Sequence, residues 1–407
     1  MKKWLSVALG IVTATGGFLD AGTIATAGEA GARFGLGLVW VILLATVAIV
    51  LLTEMAGRFA AIAKKPYAAA IREHFGFKFF LFPLAGEMIA EALLLAAELG
   101  GIAVALSLLT GISWRLLFFV AALLVWALAW RAPFDLIENG PAILGLMALT
   151  FVAGVVVLRG PLPALLPTLW HPQVQQQQLS TYLYLAAAIM GSTISPYILY
   201  FYSSGAREEG WSRDSLLVNK VTAIIGMTFG SISMLSLVAL SAIYLAPRGI
   251  TGNTLGTIGL PMAGTFGSVG ATLFALALFG TCLGASLEVL LGVSYMISQG
   301  FGWEWGENKK PVQTARFKLT ILAFLVVAIL IGSISSDPLQ LALFASSTIA
   351  LVLPFSLLPV LVVMNDRRYL KDAVNGRWSN IAVLVILVVA FIVALVSIPL
   401  EILSGGG

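Results

Sequence analysis

Apolar residues run along this chain in long stretches that are separated by short polar segments. Each stretch has roughly 18 residues or more, the length that an α-helix needs to cross a bilayer. Strands of a membrane β-barrel are about half as long and alternate apolar with polar positions, unlike these stretches. The pattern predicts an all-α membrane protein with eleven transmembrane helices, at residues 7–27, 35–60, 81–110, 113–130, 140–158, 182–204, 219–246, 266–298, 315–334, 339–364 and 379–403.

The predicted helices fill the chain, so we expect a single transmembrane domain over residues 1–404 and no soluble domain. Its parts are two sets of five helices and one extra helix, at 7–158, 182–364 and 379–403. The longest connection, 159–181, has a Gln-rich tract and His171, which is typical of a flexible loop rather than a site. The glycines at 405–407 are interpreted as a tail.

Composition and charge agree with a membrane location. Hydrophobic residues make up 59% of the chain and charged residues only 10%, against about 25% charged in soluble domains. The basic residues are spread over short loops, which argues against a nucleic-acid partner. With the N-terminus in the cytoplasm, 19 of the 23 Lys and Arg residues lie inside. The positive-inside rule then predicts an inner-membrane protein with its C-terminus outside.

Acidic residues fall within several predicted spans, six of them candidates for function, although a charge at mid-bilayer costs about 2.5–3.5 kcal/mol. No Lys or Arg lies deep in any span; Arg316 and Lys318 come closest. An interior with several carboxylates and almost no basic partners is suited to cations or protons. The six are Asp20, Glu54, Glu87, Glu91, Glu98 and Glu288.

Structural explanations compete for most of these carboxylates. Glu54 and Glu87 lie near cytoplasmic helix ends, where we expect them to reach the surface or to pair with Arg58 or Lys78.

Two further carboxylates, Glu91 and Glu98, are seven residues apart and share a helix face. They could line an ion or proton path or bind helix ends. Glu288 lies in mid-helix, where a functional role is slightly favoured.

Two predicted spans are interrupted in the middle. The first carries glycines and small hydroxyl residues around Asp20, and the sixth has Pro196 within Gly191–Tyr197. Proline removes a backbone hydrogen bond and opens a helix. Interrupted spans at matching positions of two halves indicate a transporter binding site. Packing kinks are the alternative, and they leave the buried Asp20 unexplained.

At these residues the sequence resembles the Nramp family of metal-ion transporters, over nearly the whole chain. Asp20–Thr26 corresponds to the family's first-helix motif, Asp-Pro-Gly-Asn followed by x-Ala-Thr. Ser195–Ser203 corresponds to its sixth-helix motif, Met-Pro-His-Asn-Leu-Tyr-Leu-His-Ser. Further similar segments are Gly31–Gly35, Trp40–Val41, Glu98–Leu109 and Leu353–Phe355. The resemblance implies a leucine-transporter-type fold, with a 5+5 inverted repeat and broken helices 1 and 6.

The resemblance also implies a metal-binding site. Its positions here are Asp20, Thr23, the Ser192 carbonyl and Ser195, with Ser346 on the tenth helix. The family's methionine thioether, which favours softer metals, is replaced by Ser195. Oxygen ligands alone suit hard cations such as Mg²⁺, Mn²⁺ or Ca²⁺, and Mg²⁺ keeps part of its water shell.

Both sixth-helix histidines of the family are tyrosines here, Tyr197 and Tyr202, while His74 and His171 lie in predicted loops. Proton coupling through histidine is therefore not expected. Glu98 is retained. The candidate ion or proton path consists of Glu91, Glu98, Glu288, Tyr197 and Tyr202. Loss of methionine and histidines resembles the Nramp-related magnesium transporter branch.

The resulting prediction is a monomeric divalent-metal importer that takes up Mg²⁺ or Mn²⁺ by alternating access. The metal is its substrate, and no cofactor is expected. A transporter of a neutral or cationic organic solute on the same fold remains an alternative. A sensor or channel-like protein is disfavoured because no soluble domain could transmit a signal. An enzyme is disfavoured because no nucleophile–base pair or H-E-x-x-H motif is present.

Overall fold

The computed structural model describes residues 19–131, 146–159, 162–169, 174–307, 309 and 312–404. Within these ranges the ordered elements are helices, and no strand is formed. The α-helices are α1 (Ala21–Phe34), α2 (Val39–Ala63), α3 (Tyr67–Phe75), α4 (Phe77–Thr110), α5 (Trp114–Arg131), α6 (Leu149–Leu158), α7 (Leu162–Leu165), α8 (Leu179–Thr193), α9 (Pro196–Glu208), α10 (Leu216–Tyr244), α11 (Leu255–Ile258), α12 (Leu260–Phe301), α13 (Ala315–Ile334), α14 (Pro338–Met364), α15 (Arg367–Leu370) and α16 (Arg377–Ser404). Single 3₁₀ turns lie at Leu146–Ala148, Leu166–Leu169, Gln176–Gln178, Arg213–Ser215 and Ala246–Arg248.

Nine helical segments in the described ranges are long and apolar enough to cross a membrane, with α8 and α9 together forming one of them. A bent pair of shorter helices, Leu146–Leu158 and Pro163–Leu169, would make ten. Parts of the first and fifth predicted spans, 7–18 and 140–145, lie outside the described residues. So do His171 and the tail at 405–407.

The eighth predicted span, 266–298, is the later part of a longer helix with an internal break. α12 begins at Leu260, and Gly267 interrupts it with φ +62° and ψ −143°. Side chains other than glycine rarely adopt this region, so the break depends on the glycine. The short first part of α12 is therefore separate from the span itself.

The segment between the fifth and sixth predicted spans contains more structure than expected. We predicted a flexible loop at 159–181, but its described part contains α7 and two 3₁₀ turns. It also contacts the turn between α1 and α2, because the backbone N–H of Leu36 donates to Thr168 Oγ1 at 3.2 Å. Periodicity cannot reveal such short turns, since each is only three or four residues long.

One helix, α4, packs against four others: α5, α12, α13 and α14.

Glycines allow the closest approaches between helices. A Cβ on Gly101 of α4 would lie 2.4 Å from Cys282 Sγ, and one on Gly191 of α8 would lie 1.7 Å from the Ser346 carbonyl oxygen. The backbones of α8 and α14 therefore touch at Gly191, beside the break in the sixth predicted span.

Candidate functional site

In the described part of the first predicted span, Leu19 and Asp20 are non-helical and α1 begins at Ala21. This start of α1 is called the first break. Asp20 is the N-cap residue, with extended backbone angles and an exposed fraction of 1%. Its Oδ1 accepts a hydrogen bond from the Thr23 backbone N–H at 2.6 Å, and Thr23 Oγ1 accepts one from the Asp20 N–H at 2.7 Å. This reciprocal pair is a capping box, which fixes where a helix starts. The Thr23 hydroxyl also donates to the Asp20 carbonyl at 2.9 Å.

A second carboxylate, from α4, supports the same helix start. The N–H of Ala21, the first residue of α1, donates to Glu98 at 3.0 Å from Oε1 and 3.1 Å from Oε2. Glu98 is fully buried. A carboxylate at a helix N-terminus is stabilised by the unpaired N–H groups and by the helix dipole. Glu98 could line an ion or proton path or bind a helix end, and the structure shows the contact with the helix end.

The break in the sixth span separates α8 from α9. α8 ends at Thr193, and α9 begins at Pro196 with Ser195 as its N-cap residue. In a continuous helix the Ser192 carbonyl would accept from residue 196, and proline has no N–H to donate. The Ser195 hydroxyl donates to the Gly191 carbonyl at 3.0 Å and leaves its own lone pairs free to accept. The sequence explains this break directly.

The α4 face that supports α1 also faces the start of α9. Glu91 lies against the backbone amide of Tyr197, in the first turn of α9. Neither Glu91 oxygen reaches hydrogen-bond geometry with a described group, although the side chain is fully buried. Glu98 and Glu91 are seven residues apart on α4, so one helix face presents a carboxylate to each break.

The two breaks and α14 meet around Gly22. A Cβ on Gly22 would lie 2.4 Å from Ser346 Oγ, 3.2 Å from Asp20 Oδ1 and 3.3 Å from Ser192 Cβ. The Ser192 hydroxyl lies 3.5 Å from that of Thr26 in α1. Sequence-predicted positions from the first, sixth and tenth helices are thus brought together.

The chemistry of this site is a single carboxylate among neutral oxygens. Within the described ranges, no group of three or more His, Cys, Asp or Glu residues is arranged to hold a metal. Oxygen donors of this kind suit a hard cation that keeps part of its hydration shell.

The predicted path residues divide into two locations. The buried hydroxyl of Tyr197 has no hydrogen-bond partner and lies within electrostatic reach of four carboxylates. These are Asp20, Glu91, Glu98 and Glu288. Tyr202 is elsewhere: its hydroxyl donates to Asn219 Oδ1 at 3.2 Å. The structure therefore places Tyr202 outside the group around Tyr197.

Of the two carboxylates expected at helix ends, one is placed as predicted. Glu54 pairs with Arg58, at 2.9 Å between Oε1 and Nε. The prediction for Glu87 is wrong, because its exposed fraction is 1% and it accepts a hydrogen bond from Ser356 of α14 instead of reaching Lys78. Glu87 is four residues before Glu91, and this spacing was the available signal for a third carboxylate on the same α4 face.

In the described part of the chain, basic residues pair with groups other than the carboxylates beside the two breaks. The buried Lys318 pairs with Glu307 at 2.6 Å and donates to the Ala129 carbonyl at 3.2 Å. Among the described ion pairs, none joins a Lys or Arg to the carboxylates of Asp20, Glu91 or Glu98. The surroundings of the two breaks therefore favour cations.

Solved structures with the same architecture are membrane transporters. A manganese transporter of Eremococcus coleocola superimposes with a TM-score of 0.76 at 19% sequence identity, covering 99% of this chain and 87% of that one. Mhp1, a nucleobase-cation-symport-1 family transporter, superimposes with a TM-score of 0.65 at 14% identity, covering 97% and 92%. At these identities the likenesses show a shared fold, a bundle of membrane-length helices.

The sequence comparisons identify the family. The chain matches the Nramp family, described as natural resistance-associated macrophage protein-like, over residues 10–399. It belongs to this family, whose members are metal transporters and not enzymes. It is 28% identical to the divalent metal cation transporter MntH of Klebsiella pneumoniae subsp. pneumoniae over 374 residues, 89% of this chain and 86% of that protein. The corresponding protein of Pectobacterium carotovorum is 26% identical over the same shares.

Proposed function

We propose that the protein imports a hard divalent cation, Mg²⁺ or Mn²⁺, across the inner membrane by alternating access. The observation that carries the proposal is the meeting of Asp20, Ser192 and Ser346 around Gly22, at the start of α1. The MntH relatives are divalent metal cation transporters by name. A negative-inside potential would favour uptake by about 2.3 kcal/mol per charge per 100 mV.

The ligand set proposed here is Asp20, Thr23, the Ser192 carbonyl and Ser195. Ser195 stands where the family's methionine is expected, so the set contains oxygen alone, and the cation would keep several waters, as Mg²⁺ prefers. This composition supports the magnesium branch of Nramp-related transporters. Mn²⁺ remains within the same class of oxygen-binding ions.

The architecture proposed for transport has eleven helices in a 5+5 inverted repeat followed by one extra helix, all in one domain. α1 and α9 would rock around the site to open it to each side in turn. The N-terminus would be cytoplasmic and the C-terminus outside, as the distribution of basic residues predicts. A monomer contains both breaks and would be sufficient.

The proposed exit path follows the carboxylate face of α4. Glu98 and Glu91, with Tyr197 in the first turn of α9 and Glu288 nearby, would give a descending cation a series of oxygen contacts. Tyr202 would contribute away from this series, through its hydrogen bond with Asn219. Tyrosines in place of histidines support transport that is not proton-coupled by the family's histidine route.

The experiment is uptake of Mg²⁺ and Mn²⁺ into proteoliposomes under a negative-inside potential, with a pH dye enclosed. Saturable uptake that is lost in Asp20→Ala, without acidification of the interior, is the expected result. Absence of flux of either ion, in protein shown by size-exclusion chromatography to be folded, would contradict the proposal.

A second candidate is a neutral or cationic organic solute. The observation in its favour is that the site has one carboxylate and neutral oxygens, a sparse set for a metal. Mg²⁺ and Mn²⁺ would then neither be transported nor compete with the solute. A screen of organic cations in the same liposomes separates the two candidates.

A further inference from the structure

A cavity of about 870 Å³ lies away from the broken helices, between the end of α14 and the start of α16. Its apolar wall is formed by side chains at helical spacing on the two helices: Leu358, Leu361 and Val362 on α14, and Ile381 and Leu384 on α16. Leu358, Val362 and Leu384 are each about two-fifths exposed. This half of the cavity would accept a hydrocarbon chain.

The other end of the same cavity is polar. Asn365 and Asn380 exchange amide hydrogen bonds at 3.2 and 2.7 Å. Beyond them, Arg368 pairs with Asp366 at 2.6 Å and lies 3.1 Å from His74 Nδ1. The Arg368 side chain is 74% exposed; its Nε and Nη2 contact Asp366 and His74, which leaves Nη1 for a further acceptor. An N–H of a charged guanidinium group forms a strong hydrogen bond with a phosphate oxygen.

The loop that borders the polar end is positively charged. The hydrogen bond from Arg368 lowers the pKa of Asp366 to about 2, so this carboxylate stays ionised. Residues 365–377 nevertheless carry four basic and two acidic side chains, a net charge of +2. The basic ones, all exposed, are Arg367, Arg368, Lys371 and Arg377.

The cavity spans the boundary between membrane and water. Trp378, next to Arg377, has an exposed fraction of 80%. Tryptophan prefers the headgroup level of a bilayer. In the proposed orientation this end of the bundle faces the cytoplasm. The apolar wall then points to the membrane interior and the polar end to the headgroups.

We propose that this cavity binds one anionic phospholipid of the cytoplasmic leaflet. Arg368 holds the headgroup phosphate, and an acyl chain lies along the apolar wall of α14 and α16. The apolar wall and the polar end of the cavity correspond to the acyl chain and the headgroup of a phospholipid. A water-soluble ligand would leave the apolar wall without a partner. Basic pockets between transmembrane helices on the cytoplasmic side bind anionic headgroups in this way.

The test is native mass spectrometry of the full-length protein, with the wild type and three variants titrated with phosphatidylglycerol or phosphatidylcholine of the same chains. Arg368→Gln removes the phosphate contact, and Ile381→Trp fills the apolar wall without changing charge. Arg213→Gln is the matched control, since Arg213 is an exposed arginine paired with Asp372 and does not line the cavity.

The expected result is one bound phosphatidylglycerol per wild-type chain, in preference to phosphatidylcholine. Its affinity falls about five-fold in Arg368→Gln, the effect of one basic residue at the membrane surface. Ile381→Trp also weakens it, and Arg213→Gln leaves it unchanged. Equal retention of the two lipids, a preference for phosphatidylcholine, or full binding by both cavity variants would overturn the proposal. Because the readout is lipid binding, failure here leaves the transport proposal standing.

Discussion

The two breaks are built differently, although one face of α4 faces both. At α1 the chain supplies its own charged cap, Asp20, and Glu98 accepts the first backbone N–H at 3.0 Å. At α9 the cap is the neutral Ser195, and Glu91 faces the Tyr197 amide without completing a hydrogen bond. We infer that α1 holds the charge that binds the cation, and that the looser contact at α9 leaves that helix freer to move.

The largest effect is expected from removing the charge at the first break. Asp20→Asn should lower the affinity for Mg²⁺ or Mn²⁺ about 100-fold or more, because loss of one partner of a buried charge interaction costs about 3–5 kcal/mol. Initial uptake rates over a range of ion concentrations measure this. The control is Asp372→Asn, the same change at an exposed ion pair, which should transport normally. Equal transport by Asp20→Asn and the wild type would remove Asp20 from the site.

The next effect concerns the space between the breaks. Gly22→Ala puts a methyl group 2.4 Å from Ser346 Oγ and should severely impair uptake, since overpacking costs about 1–3 kcal/mol. Adding Ser346→Gly should restore part of the rate by making room. Gly256→Ala, whose new methyl would meet nothing closer than 3.8 Å, is the matched control. Failure of the double variant to recover uptake would argue against the contact between α1 and α14.

A smaller and more specific effect should separate the two α4 carboxylates. Glu98→Leu strands the Ala21 N–H and should reduce the free energy of unfolding by about 1–3 kcal/mol. Glu91→Leu removes no completed hydrogen bond and should be close to neutral or stabilising. Thermal unfolding in detergent measures both. Equal destabilisation by the two substitutions would show that the breaks are supported alike.

The smallest effect is expected at the neutral cap. Ser195→Met introduces a thioether, which favours softer metals, and should shift preference towards Mn²⁺ or Cd²⁺ over Mg²⁺ by about ten-fold, equivalent to ~1.4 kcal/mol. Competition of these ions during uptake measures the ratio. An unchanged ratio would exclude the Ser195 position from the ligand set.

The breaks could be predicted from the sequence because their causes are local. Pro196 removes a hydrogen bond wherever it stands in a helix, and Asp20 is costly in a membrane unless it has a role. A long apolar run is also a local signal, so regular spans could be predicted in the same way. For example, α13 has the predicted bounds, Ala315–Ile334.

Contacts between distant helices could not be predicted from the sequence alone. Glu87 was assigned to a helix end, and only the packing of α4 against α14 shows its hydrogen bond with Ser356. The approach of Glu91 to the Tyr197 amide likewise depends on how α4 and α9 cross. Helical spacing gave the shared face of Glu91 and Glu98, but not what each of them touches.

The most direct test of the account is to locate the cation. Crystals or lipid-embedded samples equilibrated with Mn²⁺ should show one ion, by anomalous scattering, between Asp20 and the Ser192 carbonyl beside Gly22. The same preparation of Asp20→Asn should show none. An ion bound elsewhere, or no ion at saturating Mn²⁺ in a structure that retains both breaks, would contradict the claim that the breaks form a metal site.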